Sequence, residues 1–446
     1  MKPIIMFILS ITLAACGGGS SSAPVAPIPP AEVEPEPSLL TGTEGDALAA
    51  DDAEADAPGS GAAGEDEFAI VGYGDLPPAS KAALAAEQDA PDGGRRAAPT
   101  RPTLYVSPNG VDTNPGSASR PFRSIAQAAR IAQAGTRVLV APGTYQGGLR
   151  TSASGRADAR ISFVSSRKWG AKLVPPKNAP NKAAWDNRGS YVDVTGFEVD
   201  GSNYQGGKHW TLGIYSGGSF DLIRNNHVHH IAQGVGCSSS GGAGIGIDSY
   251  YGGVQADVIA NLVHDIGPAG CRFVQGIYVS TSGRVKNNVV YRVAEGGIHL
   301  WHDAHDVIIT NNTVSASNTG IIVGGGNFYR SKGPNDRTAV YSNIVFDNRM
   351  GISEQGKTGR NNSYRNNLVF QNSSYDWHLK NGLTHSGTVS AAPGFVVGAR
   401  EGRPDLRLRA ASPAIGRATP LMAESTDFDG RPRNDGAGYD IGAFQH

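Results

Sequence analysis

The chain has 446 residues, 39% of them hydrophobic, with 60 Gly, 27 Pro, three Cys and a formal net charge of −1. That length suits two or three average domains or one long repetitive one, and the composition excludes collagen (no G-x-y period), coiled coil (too little A/E/K/L in heptads) and a multi-span membrane protein. The near-zero charge hides a split: 16 acidic residues and one basic residue, Lys81, lie between Glu32 and Asp92, while residues 93–446 hold 24 acidic against 37 basic residues, a surplus of 13 positive charges.

Residues 1–15 carry one Lys and an apolar run from Ile4 to Leu13, shorter than a bilayer-spanning helix requires. The run ends in Leu13-Ala14-Ala15-Cys16, followed by Gly17-Gly18-Gly19-Ser20. This resembles a bacterial lipoprotein signal with its lipobox. The resemblance implies cleavage before Cys16, a diacylglyceryl group on its sulfur, and, because Gly17 rather than Asp follows, an outer-membrane location with the lipid as the only membrane contact. The alternative is an ordinary secretory signal whose cleavage site happens to end in Cys. Residues 16–101 are Ala, Pro, Gly, Ser and acids with almost no aromatic residues. They offer too little apolar area to offset the entropy of ordering and are expected to form a disordered tether.

From residue 102 the pattern changes. An opening stretch, Thr103-Leu-Tyr-Val-Ser-Pro-Asn-Gly, leads through Asn114-Pro-Gly and Pro121-Phe to Ser124-Ile-Ala-Gln-Ala-Ala-Arg-Ile-Ala and Val138-Leu-Val-Ala-Pro-Gly-Thr-Tyr145. The middle of it predicts a short amphipathic helix with Ile125, Ala128 and Ile131 on one face. Then a phrase recurs: Arg224-Asn-Asn-His-Val228, Ala260-Asn-Leu-Val263, Lys286-Asn-Asn-Val-Val290, Thr310-Asn-Asn-Thr-Val314, Ser342-Asn-Ile-Val345 and Arg365-Asn-Asn-Leu-Val369. A second phrase falls between these: Gly213-Ile-Tyr, Gly246-Ile-Asp, Gly276-Ile-Tyr-Val, Gly297-Ile-His-Leu, Gly320-Ile-Ile-Val and Gly351-Ile-Ser. Each unit reads as two or three short β-branched strands separated by Gly/Asn turns.

This pattern predicts an all-β fold, a single-stranded right-handed parallel β-helix over residues 102–446. Each coil adds a rung about 4.8 Å along the axis. Asn suits the stacked turn because it tolerates the left-handed conformation and its amide can bond to the Asn above and below. The opening, and the close Ser412-Pro-Ala-Ile to Asp427-Phe-Asp-Gly-Arg-Pro-Arg and Gly438-Tyr-Asp-Ile-Gly-Ala-Phe444, resemble secreted β-helix proteins of the pectate-lyase-like superfamily. The resemblance implies that the short helix caps the first coil. It leaves the activity open, since that superfamily hosts lyases, hydrolases, epimerases and binding proteins.

Cys237 lies nine residues after Val228 and Cys271 eight after Val263, so both fall in the same loop of neighbouring coils. Stacked positions are at disulfide distance, and a Cys237–Cys271 bridge is expected; two buried free thiols are the alternative.

Alternation along the Gly-Ile strands sends one set of side chains outward: Tyr215, Asp248, Tyr278, Ser280, His299, Trp301, Ile322, Ser353, Gln355, His378 and Lys380. Insertions at 232–243 and 267–275 lengthen the loop before this strand, and 324–338, with Phe328, Tyr329, Arg330 and Lys332, lengthens the loop after it. Two walls beside one exposed sheet make a groove fit for a polymer. Trp301 is either a sugar-stacking platform or a packing residue under a loop. The string His299-Leu-Trp-His302-Asp303-Ala-His305-Asp306 could supply metal ligands, but no carboxylate cluster accompanies it and the metal is left unassigned; His305 and Asp306 read as turn residues. His229 and His264, at the register of Tyr291, Phe346 and Phe370, read as a structural aromatic stack.

The basic surplus favours an anionic partner, and a uronate-containing polysaccharide fits an extracytoplasmic location; no nucleic-acid motif is present. β-Elimination requires neutralisation of the uronate carboxylate, a base for the C5 proton and an acid for the leaving oxygen. His299 is the candidate base, its pKa depressed by Arg272, Arg330 and Lys332, and Tyr278 the acid. Those three cations, with Trp301, His302 and Lys380, are the candidate substrate-binding set. Many lyases of the resembling fold use Lys or Arg as base with Ca²⁺ held by Asp, but no matching motif occurs, so a calcium requirement stays open. A glycoside hydrolase would need two carboxylates, with Asp248 and either Glu295 or Asp303 as the pair. The sequence thus supports a surface-anchored, monomeric polysaccharide lyase or C5-epimerase-like enzyme first, a non-catalytic glycan-binding or cell-envelope lipoprotein second and a glycoside hydrolase third.

Overall fold

The computed structural model describes residues 102–446 except 236, 238–240, 401, 434, 435 and 437. The expected signal at 1–15, Cys16 and the expected tether at 16–101 lie outside the described residues. No described helix is long and apolar enough to cross a membrane.

Each coil contributes a strand to three parallel sheets. The first sheet has eleven strands, from Thr103–Val106 to His385–Ser386; the second has nine, from Gly143–Gln146 to Leu368–Phe370; the third has nine, from Leu149–Thr151 to Tyr375–His378. The chain is a right-handed parallel β-helix, as the recurring phrases predict. The interior is three stacked columns, one per sheet. Ile223, Val258, Val285, Ile309 and Val340 align in the first sheet. Val228, Val263, Val290, Val314, Val345 and Val369 align in the second. Ile214, Ile245, Ile277, Ile298, Ile321 and Ile352 align in the third. All of them are buried, and each contributes roughly 1.5–3 kcal/mol of apolar burial.

The Asn turn between the first and second sheets divides its work between two residues. The left-handed conformation falls on the residue before each stacked Asn: Asn225, Ala260, Asn287, Asn311, Ser342 and Asn366, with φ between 53° and 57°. The stacked residue itself forms the ladder, because each side-chain amide donates to the side-chain oxygen of the next. Asn226 bonds to Asn261 at 3.1 Å, Asn261 to Asn288 at 3.0 Å, Asn288 to Asn312 at 3.0 Å, Asn312 to Asn343 at 2.9 Å and Asn343 to Asn367 at 3.0 Å. Gly in the second phrase answers crowding: a Cβ on Gly276 would stand 2.6 Å from both the Gly297 carbonyl oxygen and Val290 Cγ1.

Two expectations need correction. Ile245, not Ile247, pairs with Ile214 and Ile277, so the true phrase in that coil is Gly244-Ile245 and Gly246 takes the position of Tyr215 and Tyr278. Asp248 therefore stands two residues further on, level with Ser280. The helix Ile125–Ile131 forms at the expected place, N-capped by the Ser124 hydroxyl, but it buries Ile125, Ala128 and Ala129 while Ile131 is 42% exposed; the apolar stripe continues to Ala132, one residue round from Ile131. The close runs back over the coils. It lies along the turn column, where Asn287 donates to the Thr426 carbonyl (2.6 Å), Asn311 to the Asp440 carbonyl (3.2 Å) and Asn366 to the Arg417 carbonyl (3.2 Å), while buried Arg433 donates to Asn287 Oδ1 (2.8 Å).

Asn288→Ala strands the Asn261 backbone N–H, whose acceptor is Asn288 Oδ1, and removes one of two bonds at Asn261 Nδ2, the Asn288 Nδ2 bond to the Val258 carbonyl and one of two bonds to Asn312 Oδ1. With about 1–3 kcal/mol for the buried N–H left unsatisfied and about 0.5–1.5 kcal/mol for each other bond lost, chemical denaturation should show a loss of at least about 2.5 kcal/mol. Asn225→Ala, which alters only a left-handed residue of the kind Ala260 already occupies, should cost about 1 kcal/mol. Equal losses in the two variants would refute this division of labour.

Candidate functional site

The outward face of the third sheet carries two parallel columns. Tyr215, Gly246, Tyr278, His299, Ile322, Ser353 and His378 form the first. Asp248, Ser280 and Trp301 occupy the second, with Gly324 and Gln355 beyond them. The stripe faces outward as expected, yet its central members are not open to solvent: Tyr215, Asp248, Tyr278 and Ser280 are 5% exposed or less. The wall after the strand lies against the sheet and covers it there.

The wall before the strand is fixed by the Cys237–Cys271 disulfide, with Cα atoms 4.8 Å apart, which ties the loops of adjacent coils as expected. The wall after the strand is held from below by His302 and Asp303. His302 Nδ1 donates to the Asn327 carbonyl (2.8 Å), Nε2 accepts from the Tyr329 hydroxyl (2.6 Å), and the two rings stack at 3.9 Å. Asp303 accepts from the backbone N–H groups of Tyr329, Arg330 and Ser331 and from the hydroxyls of Ser331 and Ser249. Burial by itself would raise the Asp303 pKa, but the bonds from Ser331, Ser249 and Arg330 hold it below the usual carboxylate value. Both residues are thus committed to anchoring the wall.

Beneath the roof, Asp248 Oδ1 accepts from the Ser280 hydroxyl and the Tyr250 N–H, and Oδ2 from the Tyr215 hydroxyl at 2.9 Å. His299 lies between Tyr278 (ring centroids 5.6 Å) and Trp301 (5.8 Å), edge to face with both. Its two ring nitrogens are buried and neither has a hydrogen-bond partner among the described residues. Burial first, and the His302 ring second, push its pKa down to about 3. Arg272, Arg330 and Lys332 are not the cause. Arg272 and Lys332 are exposed, and Arg330 extends outward to donate to the Tyr250 carbonyl at 2.8 Å. Burial also pushes the Tyr278 hydroxyl well above its ordinary value, with the nearby Tyr329 and Asp248 adding to the effect. The Trp301 indole lies across Gly324, Gly326 and Gly356, where a Cβ would come within 2.7–2.9 Å of its ring atoms, and it stays half-buried.

The structure therefore brings Tyr278, His299, Trp301, His302 and Asp248 together and leaves the other candidates apart. Lys380 sits three rungs beyond Trp301, about 14 Å along the axis, and donates to the Gly356 carbonyl at 2.9 Å. Of the alternative carboxylates, Glu295 is half-buried, its pKa raised by burial, and it accepts from Asn318 at 2.9 Å.

A rim unremarked in the sequence reading lies at the mouth. Tyr250 and Tyr251 are 47% and 46% exposed and 4.9 Å apart; Tyr250 meets Tyr329 at 5.3 Å, and the Arg188 guanidinium stands 3.5 Å over the Tyr251 ring. Arg188 Nη1 is buried without a partner among the described residues. The sequence signal was the pair of adjacent aromatics in the turn Asp248-Ser-Tyr-Tyr-Gly-Gly.

Asp303→Ala should free the wall. Amide hydrogen exchange over 327–333 is expected to accelerate while the coils stay protected, and equal exchange in wild type and variant would contradict the anchoring role. Because the Asp303 carboxyl is held low, wild-type anchoring is complete above pH of about 4 and is lost only as pH falls below that value.

Residues 108–150 match a family described as "Protein of unknown function (DUF1565)". An uncharacterized protein of Bacillus subtilis (strain 168), YwoF, is 29% identical over 136 residues, and the match covers 29% of each chain. Among solved structures, pectate lyase Pel9A is 18% identical with a TM-score of 0.50, covering 78% of this chain and 98% of that one. An alginate lyase from a Paenibacillus species is 15% identical with a TM-score of 0.43, covering 60% of this chain and 91% of that one. At these identities the likeness is one of fold.

Proposed function

We propose that this chain is a surface-anchored, monomeric carbohydrate-active protein that acts on an anionic, uronate-containing polysaccharide in the third-sheet groove, by β-elimination or by the C5 epimerisation that shares its first step. The observation that carries the reading is His299, a neutral imidazole between Tyr278 and Trp301 whose two buried nitrogens have no partner among the described residues. A buried polar group without a partner costs about 1–3 kcal/mol, and such groups concentrate where a substrate completes them. At neutral pH His299 can only accept a proton. A uronate carboxylate entering the site favours its charged form, so substrate raises its proton affinity. The Tyr278 phenol, protonated at neutral pH, gives its proton to the leaving oxygen, and the proton that His299 takes from C5 restores it as the product leaves. Arg188 and Arg330 flank Tyr250 and Tyr251 at the mouth, where rings stack on sugars and guanidinium groups pair with carboxylates. Pectate and alginate lyases among the fold's neighbours agree with a uronate substrate.

The exposed Tyr250–Tyr251 pair also favours a second reading, a glycan-binding protein without turnover. One experiment separates them. The protein is incubated with alginate, pectate, glycosaminoglycans and bacterial exopolysaccharides, and the ultraviolet absorbance of unsaturated uronate ends is followed. For a lyase, His299→Gln should lower kcat by about 10²–10⁴-fold with retention on the polymer unchanged, while Tyr251→Ala should weaken retention. Retention without new absorbance, epimerised residues or reducing ends supports the binding reading. Reducing ends without absorbance support hydrolysis and overturn the elimination mechanism.

Anchoring belongs to the same proposal: the Cys16 lipid holds the protein at the outer membrane and residues 17–101 give the groove reach. Cys16→Ala should move the protein from the membrane fraction to the soluble one, and unchanged membrane association would overturn it.

A further inference from the structure

The outward face of the second sheet holds three histidines and three carboxylates on three successive rungs, and a fourth histidine, His230, follows the strand with Nδ1 2.7 Å from His229 Nδ1. Register pairs Glu198 with His227, and aligns Asp200, His229 and His264. The rings stack as expected, His229 on His264 (5.2 Å, 6°) and His264 on Tyr291 (4.8 Å, 1°), but stacking leaves the nitrogens unexplained. His227 Nε2 and His264 Nε2 are 2.7 Å apart, and His229 Nε2 is 3.2 Å from Glu198 Oε1. The donor atoms of Glu198, His227 and His229 all lie within 4.8 Å of one another.

We propose that Glu198, His227, His229 and His264 form a binding site for one divalent transition-metal ion, of the zinc or copper class, that staples three rungs of the solenoid. Imidazole with one carboxylate suits those ions, whereas calcium takes oxygen ligands. A second observation points the same way. His264 Nδ1 donates to Asp265 Oδ2 at 2.6 Å, and Arg292 holds that carboxylate at 2.7 and 2.8 Å. This fixes the tautomer that leaves the Nε2 lone pair facing the cluster, the carboxylate–histidine arrangement common behind metal ligands. In the metal-free chain a shared proton holds the His227–His264 contact; binding displaces it to solvent or to His227 Nδ1. Lys172 Nζ, 2.7 Å from Glu198 and 3.2 Å from Asp200, competes with the ion for the carboxylates. The patch lies on a different sheet from the groove, so this inference stands apart from the proposed function.

The test uses the untagged full chain, stripped with chelator and titrated near pH 7.5 with Zn²⁺, Co²⁺, Cu²⁺ and Ca²⁺. Expected are one equivalent of tightly bound Zn²⁺ with a rise in Tm, tetrahedral visible bands with Co²⁺, and no comparable binding of Ca²⁺. Cu²⁺ should quench Trp169, whose ring lies 4.9 Å from His227, and Trp169→Phe should abolish that quenching. Glu198→Gln and His227→Ala should each weaken Zn²⁺ more than about 100-fold, Asp265→Asn by about 10- to 100-fold, and Lys172→Gln should tighten it. Absence of stoichiometric Zn²⁺ or Cu²⁺ binding by wild type overturns the proposal. So does wild-type affinity in Glu198→Gln, which preserves size and therefore decides the matter even where His227→Ala does not fold.

Discussion

The side-chain amide of each stacked Asn reaches exactly one rung, and the rest of this molecule takes its phase from that reach. Asn261 illustrates it: its oxygen accepts from the backbone and side chain of Asn226, and its nitrogen donates back to the Ile223 carbonyl and on to Asn288. All these groups are buried, so a slip by one residue would strand several donors and acceptors without water. With the turn held in phase, the Val and Ile columns align behind it and the outward columns align in front. Loops may then vary in length between coils without disturbing the register.

This explains what was legible in the sequence. A ladder needs the same residue at every rung, and so does the crowded start of the third sheet, where only Gly fits beside the next backbone. Both constraints leave recurring words. The register of Asp248 was misread because two consecutive Gly-Ile pairs, Gly244-Ile245 and Gly246-Ile247, satisfy the same word; only pairing with Ile214 and Ile277 chooses between them. The roof over the stripe left no word at all. It depends on contacts such as that between Asp303 and the amides 26 to 28 residues later, and alternation along a strand says which way a side chain points, not what lies above it.

Within the site, satisfied and unsatisfied groups separate cleanly. Asp248, His302 and Asp303 have donors or acceptors at both of their side-chain polar atoms, so they hold the sheet face and its wall together. Among the described residues His299, on the adjacent column, has a partner for neither nitrogen, and Arg188 Nη1 has none either. Register places Arg188 four rungs from Trp301 along the same sheet, about 19 Å, so the cation and the neutral imidazole face different carboxylate-bearing rings of one polymer. A purely structural histidine would be expected to resemble His302, with both nitrogens engaged.

The closing segment bears on where function can reside. It runs along the corner between the first and second sheets, bonding the left-handed residues Asn287, Asn311, Ser342 and Asn366 and placing Glu424 against Arg224 and Lys286. Ion pairs such as Arg292 with Asp265 and Arg337 with Asp306 cancel cation against anion one for one, so the surplus of 13 positive charges over residues 93–446 survives any pairing and draws a polyanion toward the domain as a whole. At short range, where screening by salt is weakest, a polymer on the third sheet meets Arg330 and Arg188, which is paired with Asp186 but keeps Nη1 without a partner among the described residues.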